Sequence, residues 1–260
     1  MLDRLTYISS TGKIIDFGEG NIIINTSDLR DYEWNFTRFN QRIRSFKKNA
    51  VTRTLPVLIY GANARTIANE IHDIMEEDII NGKSGKLYAD DFYLQGFFTG
   101  NKKSSYVRPD ILKFSLTFVA DNPWWIKETL YAYYPDSPSA TTFPKDSSDN
   151  YYIINPSPVP QDLKIVVMGG NAEPRVTIGS YLYHVATIPS SDSEGVRINT
   201  MTKEVILYTS GGGEENGFRY RDRDNYIFQK IPSGKSIFSV TPDTRTWVTL
   251  IEKRSEPRWQ

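Results

Sequence analysis

Hydrophobic positions along this chain recur mostly at every second residue, in short runs closed by turn residues. In "ILKFSLTFVA" (111–120), Leu112, Phe114, Leu116 and Phe118 alternate with Lys113, Ser115 and Thr117. That is the two-residue period of a half-buried strand. "NIIIN" (21–25) and "RTLPVLIYG" (53–61) are further strand candidates, and "GKLYADDFYLQGFFTG" predicts a hairpin turning at Ala89-Asp90-Asp91. One stretch changes period. From about Asn63 to Ile80, the residues Ile67, Ala68, Ile71, Ile74, Met75 and Ile79 fall on one helical stripe. Asn69, Glu70, Asp73, Glu76 and Glu77 lie outside it. Asn63 is placed to cap the first amides and Gly82 to supply a left-handed stop. A lone helix among strands buries its stripe most simply across a sheet, so the first half reads as β-rich with one covering helix.

From Lys127 to Pro160 the pattern lapses. "YAYYPDSPSATTFPKDSSDN" and "NPSPVP" are rich in Pro and Ser, the composition of a linker. Beyond it come closely spaced strand candidates at 163–168, 174–179, 181–188, 195–198, 203–209, 226–231, 236–240 and 245–253. "GSYLYHV" and "KEVILYT" alternate well, and the spacing is that of an all-β sandwich. The expected division is therefore a first domain over 1–130 and a second over 131–260, with no internal repeat.

Composition narrows the function. The chain has 260 residues, 31 basic and 31 acidic, and no cysteine. A protein that grips nucleic acid carries a basic excess, so that role is disfavoured. No disulfide or thiol chemistry is available. The N-terminal "MLDRLTYISSTGK" has early charges and no apolar run of signal length, which predicts synthesis in a cytosol without a signal peptide. No run approaches the ~18 apolar residues of a membrane span. The sequons at Asn25 and Asn35 are chance matches in that setting.

Motifs for chemistry fail one by one. "GKS" occurs at 82–84 and 234–236, but the glycine of a phosphate loop is replaced by Glu77 and Gln229. "GGGEENG" (211–217) has Asn216 where a dinucleotide loop needs its third glycine, so it reads as a hairpin loop. His72 beside the acidic helix face and His184 in a strand are isolated imidazoles, too few for a transition-metal site. No nucleophile elbow exists. Asp90-Asp91 and Glu214-Glu215 are adjacent acids in turns, not carboxylates placed across a sugar. "DSSDN" (146–150) lacks the ligands of a calcium loop. The expectation is a protein without catalytic residues, cofactor or metal.

One charge cluster stands out. Arg38, Arg42, Arg44, Lys47, Lys48 and Arg53 lie between the strand candidates "YEWNFTRF" and "RTLPVLIY". They read either as the solvated tip of a long β-hairpin or as an arm that contacts an acidic surface on a neighbouring protein.

The order of the pieces carries a resemblance. A helix stops in "NGKSGKLYADDFYLQGFF", a strand ends in "FVADNPWWI", and a second β domain containing "VRINTMTKEVILY" ends in "EPRW". Each motif is short, but their order and spacing over the whole chain resemble the distal tail proteins of long, non-contractile-tailed bacteriophages and related prophages. The resemblance implies an N-terminal β-sandwich with one helix and a long β-hairpin, and a C-terminal β-sandwich similar to galectins or carbohydrate-binding modules. It also implies a structural hub at the virion tail tip, a hexameric ring built by the N-terminal domains. Such a ring joins the tail tube protein to the tail-associated lysin or fibre protein and to receptor-binding proteins, without sequence-specific contact to nucleic acid and without membrane insertion.

Within that frame, Pro123 breaks a ladder because it has no amide to donate, and Trp124 and Trp125 are expected to anchor an interdomain or subunit contact. Arg42, Arg44, Lys47 and Lys48 are the expected arm contacts. The competing reading is a lectin-like cell-wall carbohydrate-binding protein, for which Trp247 and Trp259 are the tryptophans of the second half. Trp247 alternates with Val248 in a core-like strand, which argues against it. A glycosidase is a third, weaker reading.

Overall fold

A computed structural model of the chain describes residues 4–24, 28–108, 110–168, 173–185, 193–209, 211–242 and 244–258. The sequon at Asn25, Trp259 and the end of the strand candidate 181–188 lie outside them. Among the described residues the protein is mostly β with one α-helix, and the chain divides into two units: Met1–Ile126 with Lys253–Gln260, and Lys127–Glu252.

Unit 1 contains β1 (Leu5–Ile8), β2 (Ile14–Phe17), β3 (Ile22–Ile24), β4 (Asn35–Phe39), β5 (Arg42–Lys47), β6 (Val51–Tyr60), α1 (Ala64–Ile80), β7 (Gly85–Ala89), β8 (Phe92–Arg108) and β9 (Ile111–Ala120). β10 (Trp125–Tyr133) begins in it. The long β8 serves two ladders. Its first residues pair with β7, which continues to β1 and β2. From Phe97 onward it pairs with β9, which continues to β6 and β3. All of these ladders are antiparallel. Gly96 sits where one ladder gives way to the other, and a Cβ there would lie 2.2 Å from the Val119 carbonyl oxygen, so no side chain fits.

The alternation read in 111–120 is the burial pattern of β9: Phe114, Leu116, Phe118 and Ala120 are buried. Tyr7, Phe98 and Phe118 meet edge to face in the core, with Phe98 4.9 Å from Tyr7 and 5.0 Å from Phe118 between ring centroids. Pairs of this kind add about 0.5–1.5 kcal/mol each beyond area burial. The expected hairpin turns at Asp90-Asp91, with Ala89 opposite Phe92 and Asp90 at φ 54°.

The helix lies where its period predicts and packs on β6, β8 and β9. Its C-terminus is a Schellman motif. Gly82, at φ 61°, donates to the Ile79 carbonyl, and the Lys83 amide donates to the Asp78 carbonyl. Two details differ from the sequence expectation. Asn63 makes no side-chain capping bond, and the buried face takes in Asp78 while leaving Ile79 half exposed. Asp78 is tolerated inside because it accepts hydrogen bonds from the Tyr7 hydroxyl (2.5 Å), the Ser10 amide (2.9 Å) and the Ser10 hydroxyl (2.6 Å).

Unit 2 holds the rest of β10 with β11 (Tyr152–Asn155), β12 (Asp162–Met168), β13 (Arg175–Ile178), β14 (Tyr181–His184), β15 (Ser193–Asn199), β16 (Glu204–Thr209), β17 (Glu214–Asn216), β18 (Gly234–Thr241) and most of β19 (Arg245–Arg254). One sheet runs β17-β16-β15-β12-β19-β10 and the other β11-β18-β13-β14. Their buried residues, among them Leu163, Ile165, Val196, Val205, Val248, Val176, Ile178 and Phe238, form a single core. That is the arrangement of a β-sandwich.

The Pro- and Ser-rich stretch is not a free linker. It includes the end of β10, all of β11 and Phe143, which stacks on Phe238 at 4.1 Å. Conversely, 226–231 is not a strand. Ile227, Phe228 and Ile231 are buried from an irregular segment, with Ile231 bridged to Gln161. The tail 253–260, expected with the second domain, belongs to unit 1. There Arg30 donates to the Pro257 carbonyl (2.9 Å) and pairs with Glu256, so part of "EPRW" is pinned in place.

Candidate interaction surface

β4 and β5 form a separate two-stranded hairpin within unit 1. Its residues alternate in type, "NFTRF" against "RIRSFK", and the turn residues Asn40 and Gln41 both have positive φ (46° and 63°). Two consecutive left-handed residues make the primed two-residue turn whose twist suits a hairpin. Phe36 faces Phe46 across the ladder, and the Thr37 and Ser45 hydroxyls lie 2.7 Å apart. A bulge falls between Thr37 and Arg38, on the stretch opposite Arg44.

Every residue of both strands is exposed. Phe36, Phe39, Ile43 and Phe46 show 47%, 62%, 53% and 60% of their surface to solvent. Between Asn35 and Lys48 there are five basic residues and no acid. Arg38 stacks over Phe36 at 5.0 Å and Arg44 over Phe39 at 5.9 Å. A two-stranded hairpin with no core is marginal alone in water, and exposed aromatics interleaved with arginine are what protein interfaces favour at their centres.

At the root of this arm Lys48 is half-buried among aromatic rings. Its amine lies 4.8 Å from the Trp124 centroid, 5.5 Å from Trp34 and 5.6 Å from Tyr32, and donates to the Pro123 carbonyl at 3.4 Å. Trp34 meets Trp124 edge to face at 5.5 Å and Phe46 at 6.3 Å. Burial, and then the nearby Arg53 guanidinium, lower the Lys48 amine to about 8.

The residues singled out in the sequence thus separate into three groups. Lys48, Pro123 and Trp124 come together at the root. Arg42, Arg44 and Lys47 lie on β5 and pair with β4, rather than capping a hairpin made with β6. Trp125 is 1% exposed and part of the unit 1 core, so it offers no surface to a subunit. Tyr32, Trp34 and Phe36 alternate in "YEWNFTRF" as strand residues do, and Phe46 lies in the basic run that follows, but nothing in a sequence says that neither face of a strand is covered.

The other candidates stay apart. His72 lies 2.6 Å from the Asn101 side-chain amide, and His184 is buried with Nδ1 3.3 Å from an Asp222 oxygen. Glu214 takes two bonds from Arg197, and Asp90 pairs with Arg30. Among the described residues no group of three or more His, Asp or Glu could hold a metal ion, and no helix is long and apolar enough to cross a membrane. In unit 2, Trp247 is half-buried and donates its indole N–H to the Tyr134 hydroxyl at 3.2 Å.

No family model matches the sequence, and no curated protein matches it. Solved structures do match, over nearly the full length. The Dit protein of phage SPP1, described as a paradigm of the hub adsorption apparatus in phages infecting Gram-positive bacteria, aligns with a TM-score of 0.60 and 12% identity. The alignment covers 98% of this chain and 100% of that one. Chains from the phage p2 baseplate in its activated conformation align with TM-scores of 0.60 (with Ca, 11% identity) and 0.62 (with Sr, 10% identity). Each covers 99% of this chain and 100% of the other. The chain has the fold of phage Dit and baseplate hub proteins.

Proposed function

We propose that this protein is a non-catalytic structural hub of a phage tail tip, located in the virion. Copies of it form a ring, hexameric by analogy with the resembled family, that joins the tail tube to the tail-associated or fibre protein and to receptor-binding proteins. The observation that carries this reading is that the structural likeness spans both units end to end and leaves no part of the compared Dit protein unmatched. The arm supports it independently. Its exposed aromatic and basic residues are a surface that stability alone does not explain, and a second copy or an adjoining tail protein would cover it. Identical subunits that each offer an arm to the next close into a ring when the rotation per contact divides a full turn.

Native mass spectrometry and light scattering of the full-length protein over a concentration series test the reading. Oligomers that dissociate with added salt support an arm-mediated ring. A monomer at every concentration that also fails to bind any tail component counts against it. A sugar-binding role for unit 2 draws on the exposed rings of Phe218 and Tyr226, and calorimetry against cell-wall oligosaccharides is expected to show no binding tighter than millimolar.

A further inference from the structure

We propose that the root of the β4–β5 arm is an oxyanion-binding pocket, in which Lys48 and Arg53 receive the carboxylate of a partner's acidic side chain or a phosphate group. A cavity of about 260 Å³ opens there, lined by Tyr32, Asn35, Lys48, Asn49, Thr52 and Arg53, with Glu33 the one acid in its wall. Two cations therefore share a partly buried space, and neither forms an ion pair among the described residues. Asp28 and Asp31 lie near Arg53, but their carboxylates do not bond it. Asp28 accepts the Thr54 amide at 2.8 Å, and Asp31 accepts an Arg53 N–H through its backbone carbonyl. The Arg53 Nε is buried without an acceptor.

This arrangement is costly when empty. Like charges that are partly removed from water repel, and each loses hydration. The depressed Lys48 amine reports that cost, with burial as the larger cause and Arg53 the second. Arg53 is lowered by burial as well. An oxyanion with two or more oxygens would relieve both terms at once, taking charge-assisted hydrogen bonds from the ammonium and the guanidinium. Asn35, Asn49 and Thr52 add neutral donors in the same wall. The site is also preorganised. The three rings and the Pro123 carbonyl contact the amine and hold it in place. Trp34 and Trp124 stand against the amine and serve as built-in reporters.

The pH dependence follows from the charges that face Lys48 and Arg53, namely Tyr32, Glu33, Asp28, Asp31 and each other. The oxyanion binds the protonated amine, whose unliganded value is about 8. Affinity is full below that value and falls as pH rises through it, by about tenfold per unit once the amine is mostly neutral.

The test uses the full chain, titrated at constant ionic strength with inorganic phosphate and, separately, with a blocked triglutamate peptide, followed by tryptophan emission and calorimetry. The expected result is saturable binding of at least one probe at pH 7, weakened tenfold or more in Lys48→Met and in Arg53→Gln, and about tenfold weaker at pH 9 than at pH 7 in the unmodified protein. Tighter binding of the peptide assigns the pocket to a protein carboxylate, and tighter binding of phosphate to a phosphate-bearing ligand. No saturable response to either probe, or equal affinity in the parent and both variants, overturns the proposal. Thermal melts show whether each variant folds, and the pH profile of the parent stands without them. Oligomerisation does not enter these readouts, so the pocket and the hub reading fail separately.

Discussion

Replacing Phe46 by alanine should open the arm and leave the rest of unit 1 intact. Phe46 sits opposite Phe36 across the ladder, meets Trp34 edge to face at 6.3 Å, and belongs to no core cluster. The cross-strand pair is worth about 0.2–1 kcal/mol, and the edge-to-face contact about 0.5–1.5 kcal/mol. Losing both costs about 1–2 kcal/mol, a five- to thirtyfold shift in the equilibrium between paired and open arm. The global transition should barely move, because Phe46 is 60% exposed and surface changes typically stay within about 0.5 kcal/mol, roughly 2 °C here. Hydrogen exchange by mass spectrometry reads the first number and a thermal melt the second. Exchange across 35–47 should rise five- to thirtyfold while β8 and β9 keep their protection. Unchanged exchange in the arm would show that these rings do not hold it, and a melting point lowered by ~10 °C would place the arm in the cooperative core.

Three other outcomes follow from the same structure. Trp125→Ala should cost about 3–5 kcal/mol by emptying a fully buried site, whereas Trp124→Ala removes the nearest ring from Lys48 and should cost about 0.5–2 kcal/mol; urea unfolding separates them. Asp78→Ala leaves the Tyr7 hydroxyl and two Ser10 donors without an acceptor and should destabilise by about 3 kcal/mol or more, against about 1–2 for Tyr7→Phe. Burial, and then Asp78, raise the Tyr7 phenol above its ordinary value, and burial raises Tyr183 in the same direction. Their contribution to stability is therefore constant below about pH 10 and lost as pH rises beyond it, which alkaline melts would reveal. Changing Arg42, Arg44 and Lys47 to glutamate should leave the melting point within about 2 °C yet weaken self-association in a salt-sensitive way seen by light scattering.

The parts of the fold that were legible in the sequence share one property: a periodicity with one clear inside. β9, β6 and α1 appear within a few residues of their expected limits, because each has a single buried face, whereas β8 buries Phe92, Tyr93 and Leu94 in succession and runs on to Arg108, past the expected end of its hairpin. Where burial follows no period, the pattern misleads. Phe143 enters the core from a Pro- and Ser-rich loop, and Asp78 is buried against local polarity because Tyr7 and Ser10, some seventy residues away, satisfy it. The arm was half legible. Its basic run is plain, but "RIRSFKK" puts charge where a half-buried strand would put apolar residues, so β5 does not read as a strand. A strand exposed on both faces breaks the rule by which strands are read. The Lys48 cage could not be seen at all. It joins Tyr32 and Trp34 to Trp124, which lies far along the chain, and only the pairing of β6 with β9 brings them together.

The most direct test of the hub reading is electron microscopy of the purified full-length protein in negative stain. Closed rings of uniform size with a central hole are the predicted result, and they should thin out when Arg42, Arg44 and Lys47 carry the opposite charge. Single particles without rotational symmetry, from protein that binds a cell-wall oligosaccharide with micromolar affinity, would contradict the account.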